Sequence, residues 1–159
     1  MASLNKNLSD YSDDNLPDIR QKKFAIVVSS WNRTITEALY DGAINTLLKY
    51  GAQDSFIIRR EVPGSFELSL GAQRMASKND IDAVICLGCV IQGETKHFDF
   101  ICQAVSYGIT EVGLKYNKPV IFGVLTTNNQ TQAQARAGGQ HGNKGEEAAI
   151  TAIKMLGFN

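Results

Sequence analysis

The stretch AVICLGCVIQGETKHFDF, residues 83–100, starts as an apolar run and then passes within a few positions through Gly93, Glu94, Thr95, Lys96 and His97. A short apolar run closed by a glycine turn is the pattern of a buried strand, and the residues from about His97 to Tyr116 continue at helical spacing. The same strand-then-helix order recurs on both sides. FAIVVSS (24–30) precedes TEALYDGAINTLLKYG (36–51), with Gly51 as a C-cap. FIIRREV (56–62) precedes a helix through FELSLGAQRMAS (66–77), and PVIFGVL (119–125) precedes helices on either side of AGGQHGNKG (137–145). Four such units imply right-handed crossovers and a parallel sheet covered on both faces. The expected fold is a three-layer α/β/α sandwich around a four-stranded parallel sheet.

The 159 residues, 43% of them hydrophobic, suit one domain whose core needs neither disulfides nor metal. Residues 1–22 mix Asn, Ser, Asp and Lys around Pro17, so they are expected to form a flexible arm outside the core, leaving 23–159 as the folded domain. Basic and acidic residues number 16 each, so no global field favours nucleic acid or an anionic membrane surface. No run approaches the ~20 apolar residues of a membrane span, the N-terminus lacks the basic-then-apolar order of a secretory signal, and a cytoplasmic protein is expected. Cys86 and Cys89 form a CxxC pair. In a strand, positions three apart face opposite sides, and no second Cys/His pair completes a zinc site, so these two and Cys102 read as core thiols.

In open α/β sheets of this kind, flavodoxin-like in type, ligands bind beyond the carboxyl ends of the strands, where loops and helix N-termini converge. Here those places are SWNR (30–33), VPGSFE (62–67), QGETKH (92–97) and TTNN (126–129). In QGETKH, Gly93 permits a tight turn. The N–H groups of Glu94, Thr95 and Lys96 are expected in the first turn of the next helix, an anion-binding arrangement. His97 follows, and an imidazole exchanges protons near neutrality. The plainer reading, Thr95 as a cap and His97 as a solvated first-turn residue, is slightly favoured by this stretch alone. Gly88 and Gly93 stand at P-loop spacing, yet Glu94 replaces the lysine and the residues between continue a strand, which argues against triphosphate hydrolysis. Trp31 at a strand end offers a face for stacking on a heterocycle, with Asn32 beside it, or serves only for packing. Pro63 and Gly64 make a sharp turn, putting backbone amides and the Glu67 carboxylate at the same edge, although Ser65 and Glu67 also fit an ordinary helix start. Arg136, Lys144 and His141 read as surface residues on chemistry alone.

Taken in order, SWN, VPGSFE, AVICLGCVIQGETKHFDF, PVIFGVLTT, QAQARAGG and GNKGEEAA resemble the lumazine synthase family, from about Phe24 to the C-terminus. The chain departs from the family's pattern at Thr131, where Glu is frequent, and at Lys96, a variable position. The resemblance implies condensation of 5-amino-6-(ribitylamino)uracil with 3,4-dihydroxy-2-butanone 4-phosphate to 6,7-dimethyl-8-ribityllumazine, the penultimate step of riboflavin biosynthesis, with no metal or organic cofactor. It implies that Trp31 stacks on the pyrimidine and that Asn32 and Glu67 bind the ribityl chain. Backbone groups around Gly64, Ser65, Phe66, Val90 and Ile91 would address the ring and hydroxyls. Phosphate would sit on the amides of Gly93, Glu94, Thr95 and Lys96 and on Arg136; His97 would shuttle protons, and Lys144 and Glu147 would support. It further implies a homopentamer with sites shared between subunits, Phe122 and Arg136 coming from the neighbour. Closure of pentamers into a sixty-subunit shell is favoured by the short linker RAGGQHGNKG, and association with riboflavin synthase and an arm that adds a strand to the neighbouring sheet belong to the same implication. Rival readings are a non-catalytic flavin-binding module and a shell protein with a vestigial site.

Overall fold

The computed structural model describes residues 7–12 and 15–158. Strands β1 (Phe24–Ser29), β2 (Ile57–Val62), β3 (Ala83–Ile91) and β4 (Val120–Thr127) form one sheet in the order β2-β1-β3-β4, with every pair parallel. Helices α1 (Arg33–Lys49), α2 (Leu68–Ala76), α3 (His97–Tyr116), α4 (Gln130–Ala135) and α5 (Lys144–Leu156) make the crossovers and the last turns of chain. This is the expected four-stranded sandwich.

Strand alternation divides the interior into two cores. Phe24, Ile26, Val28, Ile85, Leu87, Cys89, Ile121 and Leu125 pack with α1 and α5, whereas Ala25, Val27, Val84, Cys86 and Val124 pack with α2 and α3. A one-residue slip of a central strand would exchange its two sets and mismatch both layers, which is how the pattern fixes the register. The α1 and α5 backbones approach very closely. A Cβ on Gly145 would fall on the Leu39 carbonyl, and one on Gly42 would lie 2.6 Å from the Asn143 side chain, so small residues at this crossing are a packing requirement.

Four local expectations need correction. Phe56 belongs to a short 3₁₀ turn (Asp54–Phe56) ahead of β2, and Ser65–Glu67 form another 3₁₀ turn, so α2 starts at Leu68, not at Phe66. The linker between α4 and α5 is not plain loop: β5 (Ala137–Gly139) and β6 (Gly142–Asn143) pair as a small antiparallel hairpin, with positive φ at Gly138 and Gly142. The N-terminal segment does not all stand outside the core. Ile19 is fully buried, Tyr11 and Leu16 pack against the α1/α5 core, and a Cβ on Gly157 would lie 3.1 Å from the Pro17 ring. The reason is the apolar residues spaced through the segment, which join or pack against the α1/α5 core. Among its described residues the segment contains no strand; positions 1–6, 13 and 14 lie outside the described residues.

Edge strand β2 is the most charged of the four. Arg59 binds Glu37 of α1 at 2.6 and 2.9 Å and Glu61 at 2.6 Å, while its guanidinium stacks 4.3 Å from the centre of the Tyr40 ring. Charge on an edge strand discourages pairing with stray strands.

Candidate active site

At the carboxyl edge the backbone register brings three loops side by side. Ser30 N–H donates to the Val62 carbonyl and Gln92 N–H to the Thr127 carbonyl, each continuing a ladder by one residue past its strand. Trp31 projects from the first loop, 71% exposed despite being the largest side chain of the protein. Asn32 sits in the left-handed region, φ 59°, which Asn tolerates, and its side-chain amide donates to the Cys89 carbonyl at 3.0 Å. That bond ties the β1 loop to the end of β3.

The second loop is held by Glu67, whose carboxylate accepts from the Gly64 N–H at 3.0 Å. Ser65 packs tightly over β3: a Cβ on Gly88 would lie 2.7 Å from its Oγ and 2.8 Å from Leu68 Cδ1. The Ser65 hydroxyl is buried without a partner among the described residues, and Phe66 beside it is exposed. Trp31 and Phe66 are thus two uncovered aromatic side chains on neighbouring loops of one edge.

The third loop corrects the sequence expectation in one respect. Helix α3 begins at His97, so Glu94, Thr95 and Lys96 precede it rather than forming its first turn. Lys96 is the N-cap residue; its carbonyl accepts from Asp99 and Phe100 N–H, and Thr95 Oγ1 accepts from His97 N–H at 3.4 Å. None of the amides of Gly93 to Lys96 donates a hydrogen bond among the described residues, and all four residues are exposed. An open turn at a helix N-terminus with unpaired N–H groups keeps its capacity for an anion. The His97 ring, also exposed, stands at the end of this turn.

A second group lies around the hairpin. Arg136 closes α4, donates from Nη1 to the Gln132 carbonyl at 3.1 Å and has no carboxylate partner among the described residues. Lys144 N–H donates to the Arg136 carbonyl at 2.9 Å, and Lys144 Nζ pairs with Glu147 Oε1 at 3.0 Å, with only 14% and 23% of the two side chains exposed. Glu147 Oε2 is buried and without a partner among the described residues. Among the described residues, no hydrogen bond or ion pair joins this group to residues 90–97. Phe122 belongs to neither. It lies in the middle of edge strand β4, opposite Cys86, half-buried against the α2/α3 core.

Sequence reasoning missed Gln132 and Asn143, both of which hold the second group. Asn143 is buried, accepts from Gly145 N–H at 2.7 Å as the N-cap of α5 and donates from Nδ2 to the Ala38 carbonyl at 2.9 Å. Its position directly before an apolar-periodic helix was the available signal. The CxxC parity argument holds: Cys86 enters the α2/α3 core and Cys89 the α1/α5 core. Burial pushes the Cys86 thiol up to about 12 and the Cys89 thiol up to about 11. Cys102 is also raised, by partial burial and by Asp99 nearby.

These features define a flavodoxin-like α/β protein with exposed aromatic rings, unpaired backbone amides and an imidazole gathered at the carboxyl edge of its sheet. A match to the family described as 6,7-dimethyl-8-ribityllumazine synthase covers residues 21–159. A protein of that name from Cytophaga hutchinsonii is 67% identical over 98% of each chain, and one from Parabacteroides distasonis is 52% identical over 100% of this chain and 99% of its own. The namesake from Flavobacterium johnsoniae is 54% identical over 98% of this chain and 82% of its own. The chain belongs to the 6,7-dimethyl-8-ribityllumazine synthase family.

Proposed function

We propose that this chain is a transferase that condenses 5-amino-6-(ribitylamino)uracil with 3,4-dihydroxy-2-butanone 4-phosphate, releasing 6,7-dimethyl-8-ribityllumazine, phosphate and water. The observation that carries the reading is the turn Gly93–Lys96, whose backbone amides are unpaired among the described residues and which ends at His97, in a chain of this family. Phosphate binds those amides and the Arg136 guanidinium, whose planar fork suits an anion with two oxygens to offer. Trp31 stacks on the pyrimidine, Asn32 and Glu67 hold the ribityl chain, and backbone groups of Gly64, Ser65, Phe66, Val90 and Ile91 address the ring. Asn32 and Glu67 do this while each spends one polar atom on the fold, which supports a fixed geometry for both.

In the reaction the pyrimidine amine adds to the ketone and water is lost to give an imine. Phosphate is then eliminated, and ring closure with loss of a second water completes the lumazine. His97 takes the proton from the adding amine and returns one to the departing oxygen. Both reactants are intrinsically reactive, so holding them in register is the larger contribution.

The site is completed between subunits of a cytoplasmic homopentamer, with Phe122 and Arg136 supplied by the neighbour; residues 1–22 are a terminal arm and 23–159 the single catalytic domain. Two features support the sharing. Among the described residues no hydrogen bond or ion pair joins the Arg136 group to residues 90–97 of its own chain, and Phe122 lies five residues before the end of its own strand. Closure into a sixty-subunit shell and association with riboflavin synthase belong to the same reading. Mixing the two substrates with the enzyme and following the fluorescent lumazine tests it: the expected result is formation well above the uncatalysed rate, and no enhancement would remove the proposal. A yellow purified protein lacking this activity would instead favour a flavin-binding module.

A further inference from the structure

The hairpin between α4 and α5 and the N-terminal segment remain without a role in this chemistry, yet they touch each other. Leu8 N–H donates to the His141 carbonyl at 2.7 Å, and Asn143 N–H donates to Ser9 Oγ at 3.0 Å. The approach is close enough to exclude a side chain at Gly142: a Cβ there would meet Asn7 Oδ1, Ser9 N and Ser9 Oγ, and φ is +80° at that residue. The hairpin in turn holds the end of α4. His141 N–H donates to the Ala135 carbonyl at 2.8 Å, Lys144 N–H donates to the Arg136 carbonyl at 2.9 Å, and Ala137 pairs with Asn143. The backbone of Arg136 is therefore fixed on one side by its own helix and on the other by a glycine-rich strap that has few side chains of its own to hold it.

We propose that Leu8 and Ser9 are positioning residues that clasp this strap and so fix the direction of the Arg136 guanidinium. The inference rests on the assignment of Arg136 to the phosphate of the four-carbon substrate. Glycines at 138, 139 and 142 leave the strap with large conformational freedom. Asn143 anchors its far end to α1, and the arm supplies the bonds at 141 and 143 that hold the returning strand. The long guanidinium stem magnifies any tilt of the α4 terminus, whereas residues of the other three loops are attached elsewhere in the sheet and do not depend on the clasp.

The test uses the full-length double variant Leu8→Pro/Ser9→Ala, which removes the Leu8 N–H and the Ser9 acceptor while leaving the buried Ile19 and the half-buried Leu16 in place. KM for the phosphorylated ketone is expected to rise about fivefold, equivalent to ~1 kcal/mol, with KM for the pyrimidine and kcat unchanged within about twofold. In an Arg136→Ala background the arm variant should add nothing further, because the guanidinium it orients is gone. Hydrogen exchange of the Asn143 amide should accelerate in the arm variant, which reads the clasp independently of activity. An unchanged KM for the phosphorylated substrate, an equal rise for both substrates, or the same rise without Arg136 would each overturn the clasp alone. If Arg136→Ala itself leaves that KM unchanged, the phosphate assignment falls and takes the clasp with it.

Discussion

His97 stands at the end of the third loop, where α3 begins. It is exposed, its backbone N–H is used on Thr95 Oγ1, and its ring has no hydrogen-bond partner among the described residues. In the proposed reaction a ring so unconstrained acts only as a general acid and base, on reactants that other groups hold in place. His97→Ala should lower kcat by about 10²-fold, within the range usual for such groups, and leave a measurable rate. Stopped-flow formation of lumazine by the folded variant checks this, and total loss of activity would show that the imidazole does more than move protons. The buried thiols set a second expectation. Their folded values lie above the ordinary 9.0, at about 12 for Cys86 and about 11 for Cys89. The neutral thiol is thus the form the fold prefers, and this contribution to stability is complete below 9.0 and is lost as pH rises through those values. Iodoacetamide near neutral pH should leave both unmodified in the native protein and modify both after denaturation, as read by mass spectrometry of peptides. Labelling of either in the native state would contradict its burial.

Among the elements, β2 carries a charge network with a predictable pH dependence. The Arg59 guanidinium holds the Glu37 carboxyl below its ordinary 4.5, against the opposing effect of partial burial, and Glu37 returns the effect by raising Arg59. A depressed carboxyl stabilises the fold fully above 4.5 and loses that contribution as pH falls through its lowered folded value. Urea midpoints of the wild type and Glu37→Gln should therefore differ most near neutrality, start to converge as pH falls past 4.5 and meet only below the lowered folded value. A gap that persists in acid would assign the stabilisation to packing against Arg59 and Tyr40 instead. The core strands were legible because their apolar runs and flanking turns agree with their burial on both faces. Ile19 was not, since one isoleucine in a polar stretch has no periodicity to reveal it, and the hairpin was not, because its strands consist of glycines, alanine and asparagine with no strand preference. At the site, the loops were legible as places through the topology rule. Arg136, by contrast, looks like any surface cation until the family's pattern singles it out, and nothing in its local sequence tells that it lacks a carboxylate partner.

On the scale of the molecule, the single chain leaves a stripe of large apolar groups uncovered. Phe100, Tyr107 and Leu114 recur every seven residues along α3, 66%, 68% and 79% exposed, and Leu70 of α2 stands 55% exposed. Seven residues are close to two helical turns, so the three side chains line one face, opposite the buried Val105, Ile109 and Val112. At roughly 25 cal/mol per Å² of apolar surface, covering such a face is a substantial driving force for association, and a homopentamer with shared sites would supply the cover. The consequence can be tested without touching a substrate-binding residue. Leu70→Glu/Tyr107→Glu places two charges on that face, which in a subunit interface would be desolvated without partners, a strongly unfavourable arrangement. For the proposed homopentamer, sedimentation should then fall from a multiple of five chains to one chain, while circular dichroism keeps the α/β signature of the monomer. In the proposed shared site activity should fall with the assembly, because Phe122 and Arg136 would no longer reach a neighbour's turn at 93–97. A variant that sediments as a monomer yet retains wild-type kcat/KM would show that one chain holds a complete site, and would refute the shared arrangement even if the wild type is a pentamer.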